Sequence, residues 1–179
     1  MRICVYCGSS GGARPEYRAA AAAVGTALAR RGVGLVYGGS NVGLMGVAAD
    51  AAMAAGGEVT GVIVESLVAR EVAHLGLPDL RVVSTMHERK AMMSALSNAF
   101  LALPGGYGTL DEFFEAVTWT QLGIHRKACG VLNVCGYFDG LLGMLDHAVA
   151  EGFVKPVNRG LVLCDDDPER MIERLLRVA

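Results

Sequence analysis

Aromatic residues make up only 6% of this 179-residue chain, with a single tryptophan, so its core must be assembled from alanine, valine, leucine and methionine. An excess of charge of either sign is lacking too: 16 Lys and Arg stand against 18 Asp and Glu, a net charge of −2. That balance provides no electrostatic footprint for nucleic acid or an anionic membrane, so any phosphate ligand has to be held locally. No apolar run is long enough to span a bilayer; the richest, residues 19–29, lies between Arg18 and Arg30 and reads as a small-residue helix. The first residues, MRICVYCG, lack the extended apolar region of a signal peptide. Metal-ligand spacing is missing as well. The four histidines are scattered, and the C-x-x-C of Cys4 and Cys7 has no second cysteine pair. Residues three apart on a strand face opposite ways, so Cys4 and Cys7 are expected to be buried thiols and the protein cytoplasmic.

The 53% hydrophobic content excludes a disordered chain, and the length suits one domain over residues 1–179. Apolar segments at residues 3–7, 34–37, 59–64, 80–83, 99–103, 128–134 and 161–164 read as strands. Helical patterns separate most of them, and Asp167-Pro168 has the form of a helix start. The alternation predicts an α/β fold, a Rossmann-like doubly wound parallel sheet with helices on both faces. Such sheets bind ligands beyond the carboxyl ends of their strands. Three glycine-rich loops, residues 8–12, 38–46 and 105–108, each follow a strand and are expected to open on that same edge.

None of the common nucleotide and hydrolase signatures is present. There is no G-x-x-x-x-G-K-[ST], the first strand leads to GSSGG rather than G-x-G-x-x-G, and no G-x-S-x-G occurs. Helix N-termini remain, whose free amides and partial positive charge suffice for one phosphate. In the stretch PGGYGTLDE, Gly106, Gly108 and Thr109 would supply amides and a hydroxyl. Thr109-Leu-Asp-Glu112 and Thr85-Met-His-Glu88 both fit a capping box, and on those four-residue matches alone a helix cap is the better reading of either glutamate. Asp111 suits the positive helix end. Arg89 shares a helix face with Met92, Met93 and Leu96, and is either snorkelling to water or aimed at an anion. The helix after the glycine loop has Leu110, Phe113, Phe114 and Val117 on one side and Trp119 and Leu122 further round. That second side is buried within the domain or meets a second subunit.

Taken together, GGSNVGLMG, MHERKAMM, PGGYGTLDE, TWTQLGIHRK and LLGMLDHAVAEGFV resemble the LONELY GUY family, the cytokinin riboside 5′-monophosphate phosphoribohydrolases. The resemblance implies a dimeric Rossmann-like enzyme without metal or redox cofactor. Its expected reaction cleaves the N-glycosidic bond of AMP-like or N6-prenylated nucleoside 5′-monophosphates to free base and ribose 5-phosphate. Arg89 and Glu112 match the family's catalytic arginine and glutamate. Lys90 and the run Gly106, Tyr107, Gly108, Thr109, Leu110, Asp111 and Glu112 match its substrate-binding motifs, with Glu71 and Thr118 in less distinctive surroundings. Relatives commonly read T-L-E-E at residues 109–112 and have aspartate near Asn98. A nucleotide or cofactor carrier on the same fold is the alternative, and the loop after the first strand disfavours a dinucleotide oxidoreductase.

Overall fold

A computed structural model describes residues 1–68 and 73–178; Glu71 lies outside the described residues. Seven strands form one parallel sheet: β1 (Arg2–Tyr6), β2 (Gly34–Tyr37), β3 (Val59–Val64), β4 (Asp79–Val83), β5 (Ala99–Ala102), β6 (Ala128–Leu132) and β7 (Val162–Asp165). Their order, β4-β3-β2-β1-β5-β6-β7, reverses direction at β1, so the topological switch point lies between β1 and β5. Helices α1 (Pro15–Arg30), α2 (Gly43–Ala54) and α8 (Pro168–Val178) pack on one face of the sheet. Helices α4 (Met86–Ala95), α5 (Tyr107–Gln121) and α6 (Asp139–Ala150) cover the other. The expected doubly wound architecture is therefore present. Two one-turn helices, α3 (Glu65–Val68) and α7 (Pro156–Arg159), add to it.

Strand alternation divides the core in two. Ile3, Val5, Leu35, Tyr37, Leu101 and Met171 fill one side, while Cys4, Tyr6, Val36, Phe100, Met93 and Phe113 fill the other. Cys4 and Cys7 accordingly fall on opposite faces, and burial pushes both thiols up. The alanine-rich helices exploit their small residues. An added Cβ at Gly25 of α1 would lie 2.2 Å from the Ala48 carbonyl oxygen of α2, an approach that excludes any larger residue. Asn98 accepts the Arg2 amide at 2.9 Å and so serves the entry into β1. Asp167 caps α8 by accepting the Arg170 amide at 2.8 Å, as its sequence predicts.

The helix pattern is interrupted after β6, where residues 128–134 had the look of a longer strand. The chain leaves the sheet at Leu132 and makes a tight turn at Val134–Gly136 instead. Cys135 and Gly136 both adopt left-handed backbone there, with φ of 52° and 70°.

Candidate active site

Parallel strands bring the glycine-rich loops to one edge, and the loops bind each other directly. The Gly8 amide donates to the Pro104 carbonyl at 3.0 Å, and the Leu44 amide donates to the Gly8 carbonyl at 2.9 Å. Gly43 makes that second approach possible. Its φ is +62°, and an added Cβ would lie 2.2 Å from the Ser9 carbonyl carbon. Above the junction lies a cleft with two lobes that share Gly8, Ser9 and Gly106. One lobe, about 240 Å³, is lined by Cys7, Met45, Met86, Arg89, Thr109 and Glu112. The other, about 300 Å³, is bounded by Ser10, Gly12, Tyr17, Leu44, Gly105 and Tyr137. The position beside β1 and β5 is where an open parallel sheet binds ligands.

The capping box of α4 forms as expected. Thr85 Oγ1 accepts the Glu88 amide at 3.1 Å, and Glu88 Oε2 accepts the Thr85 amide at 3.3 Å. The second box does not form. Gly106 is the N-cap of α5, so Thr109 is already the third helical residue and Glu112 lies a turn further along. From there its carboxylate cannot reach back to the N-cap amide, and it turns instead to Arg89. The start at Tyr107 also leaves the amides of Tyr107, Gly108 and Thr109 ahead of the first intrahelical bond, which the Leu110 amide makes to Gly106. Those amides are suited to an anion.

Arg89 is buried, 6% exposed, which overturns snorkelling and decides the orientation of the site. Its Nε donates to the Val62 carbonyl at 3.0 Å, and its terminal nitrogens reach the Gly38 carbonyl at 3.4 Å and Glu112 Oε1 at 2.6 Å. Backbone at the carboxyl ends of β2 and β3 thus fixes the guanidinium, and the guanidinium fixes the carboxylate. Among the described residues nothing takes the second carboxylate oxygen of Glu112. Burial raises the Glu112 carboxyl above the usual glutamate range, and Arg89 opposes that rise.

Gly38 is tuned to this arrangement, because an added Cβ would lie 2.3 Å from an Arg89 terminal nitrogen and 3.0 Å from Met45 Sδ. Gly38→Ala is expected to displace the guanidinium and lower kcat at least tenfold, order of magnitude for a mispositioned reactive group, while the circular dichroism spectrum is retained. Wild-type turnover in this variant would show that Arg89 geometry is not needed.

The remaining candidates are distributed around that pair. Thr109 and Gly108 line the same lobe as Arg89 and Glu112, and Tyr107 stands 95% exposed at its rim. Lys90 sits behind Glu112, donating to Asp111 at 3.2 Å and Glu115 at 2.7 Å, and those carboxylates raise its pKa. It braces α4 against α5. Leu110 packs into the core, and exposed Thr118 donates to the Phe114 carbonyl one turn back, at 2.7 Å. Tyr17 and Tyr137 join the cleft from outside every motif, and Cys7, Met45 and Met86 join it from within motifs whose sequence reading gave them no role at a site. The carbonyls of Gly38 and Val62 carry no side-chain signature at all.

Comparison with known proteins adds a family to this geometry. A family model described as "Possible lysine decarboxylase" matches residues 45–175. A cytokinin riboside 5′-monophosphate phosphoribohydrolase of Arabidopsis thaliana is 47% identical over 97% of this chain and 80% of its own length. An enzyme of the same name from Oryza sativa subsp. japonica is 47% identical over 97% of this chain and 72% of its own. Among solved structures, a molybdenum cofactor binding protein of Rippkaea orientalis superposes with a TM-score of 0.75 at 23% identity, covering 99% of this chain and 96% of that one. The molybdenum cofactor carrier protein of Chlamydomonas reinhardtii gives 0.72 at 21% identity, over 98% of each chain. At such identities the likeness is one of fold alone. The decarboxylase description does not fit the cleft: among the described residues no lysine lines either lobe, so an aldehyde cofactor has no amine to join.

Proposed function

This chain belongs to the LONELY GUY family of cytokinin riboside 5′-monophosphate phosphoribohydrolases, and from that membership we propose how its cleft performs the family reaction. The protein is a hydrolase of the N-glycosidic bond of nucleoside 5′-monophosphates. The observation that carries the mechanism is the buried Arg89–Glu112 pair beside the free amides of α5. The 5′-phosphate binds at those amides and the loop after β1, which places the sugar over Glu112. Breaking the bond between C1′ and the base builds oxocarbenium-like positive charge on the ribose. A carboxylate stabilises that charge and accepts the proton of the attacking water, while the departing base takes up a proton from solvent and leaves neutral. Arg89 holds one carboxylate oxygen, which leaves the other to face the reacting carbon.

The pairing also resolves a charge problem. A carboxylate close to a phosphate site repels the ligand, but Arg89 neutralises Glu112 from the protein side. The test is incubation with AMP and with isopentenyladenosine 5′-monophosphate, following free base and ribose 5-phosphate chromatographically. Release from at least one is expected, and folded protein that releases base from neither would sink the proposed chemistry. A carrier predicts binding without product.

We further propose a homodimer. Leu122 and Ile124 beyond α5, Met144 of α6, and Phe153 and Val157 nearby in sequence are all exposed, and α6 buries none of its residues completely. An exposed apolar surface of this kind is suited to a second copy. Sedimentation velocity is expected to give twice the chain mass, and a monomer at micromolar concentration would overturn it. Among the described residues no helix is long and apolar enough to cross a membrane.

A further inference from the structure

Three loops meet at the second lobe of the cleft, and one side chain joins them. The turn after β6 is built to deliver Tyr137. Asn133 Oδ1 accepts the Phe138 amide at 2.7 Å, and Asn133 Nδ2 donates to Asp139 at 2.7 Å. Phe138 is buried in the core below. Between them Cys135 is held at φ 52°, a left-handed conformation that a non-glycine residue adopts at a cost and that persists only where its surroundings impose it. The outcome of that turn is a bond outside it: the Tyr137 hydroxyl donates to the Gly105 carbonyl at 2.5 Å. The Tyr137 ring also meets the edge of Tyr17, 5.7 Å between centroids, and Tyr17 packs against Gly12.

Gly105 is the residue before the N-cap of α5. Its peptide bond to Gly106 is trans, so the carbonyl and the Gly106 N–H point in opposite directions. Holding the carbonyl on Tyr137 in the second lobe therefore turns the Gly106 N–H away from it. Gly106 lines both lobes, whereas Gly105 and Tyr137 line only the second, so within this turn it is Gly106 that reaches the lobe of Glu112. We propose that Tyr137 is a positioning residue of the phosphate cradle, a latch that sets the Pro104–Gly106 backbone so that its amide and the first turn of α5 converge on the 5′-phosphate. The proposal rests on the phosphoribohydrolase reading for the identity of that phosphate.

Tyr137→Phe removes only the hydroxyl and keeps the ring contacts with Tyr17 and Phe138. Calorimetric titration with ribose 5-phosphate is expected to show affinity weaker by about five- to tenfold, the worth of one such hydrogen bond. KM for AMP should rise by a similar factor while kcat changes less than twofold, about the scatter expected for a group remote from the bond broken. A merely structural tyrosine would instead lower the melting temperature and kcat and leave ribose 5-phosphate affinity alone. Equal affinity in wild type and variant overturns the latch, as does a wild-type protein that does not bind ribose 5-phosphate. Because that titration needs no turnover, binding without AMP hydrolysis would count against the hydrolase and leave the latch to be decided by the affinity difference.

Discussion

Glu112→Gln is expected to lower kcat for base release from AMP by about 10²- to 10⁴-fold, the usual contribution of a positioned acid–base group. The amide keeps the length of the side chain and can accept an N–H from Arg89, but it cannot hold negative charge against the ribosyl cation or take a proton from water. The same substitution also separates the two roles that PGGYGTLDE allows. In a capping box glutamine would serve nearly as well as glutamate, leaving stability unchanged. In the structure Glu112 is instead the counter-ion of a buried arginine, so glutamine leaves Arg89 charged and uncompensated. A loss of about 1–3 kcal/mol is expected in urea denaturation. A variant with wild-type turnover would remove Glu112 from the chemistry.

Arg89→Met is expected to be the most destabilising single change at the site, by about 3–5 kcal/mol near neutral pH. Methionine retains a long apolar stem, but the Val62 and Gly38 carbonyls lose their donor and Glu112 is left buried without a partner. The pH dependence follows from the direction of the Glu112 shift. Burial raises that carboxyl and Arg89 opposes it, so removing the arginine drives the folded-state pKa further up. A carboxyl with a folded pKa above its unfolded value binds its proton more tightly in the native state. Stability is therefore lost as pH rises through the unfolded and then the folded pKa, and is recovered on acidification. The deficit against wild type should be largest above the raised pKa and shrink below it. If Glu112 acts as proposed, the acid limb of kcat/KM reports its ionisation and should move to higher pH in the variant. Urea melts and rate profiles across a pH series from mildly acidic to mildly alkaline test both. A stability deficit independent of pH, together with an unmoved acid limb, would contradict the pairing.

Tyr137 and Glu112 show where local sequence patterns stop being informative. A capping box is a four-residue statement, and Thr85–Glu88 obeys it because α4 begins where the motif says. Thr109–Glu112 has the same letters, yet the N-cap of α5 is three residues earlier, at Gly106, and the glutamate is carried past the position that caps. Arg89 reads as an apolar-face oddity until β2 and β3 place two carbonyls around it.

By itself the sequence determined the alternating fold, the edge on which the glycine loops converge, and the motifs that identify the family. These are local or periodic properties: strand and helix periods, glycine before helix starts, and a run of residues short enough to be read in order. Tertiary structure alone decided which residues meet. The partners of Arg89 lie 23, 27 and 51 positions away, and the hydroxyl that holds Gly105 comes from 32 positions on. Two of those partners are backbone carbonyls, which every residue possesses and no motif can mark. Burial then settled the charges, because a carboxylate removed from water must be paired, and only the folded chain supplies its arginine.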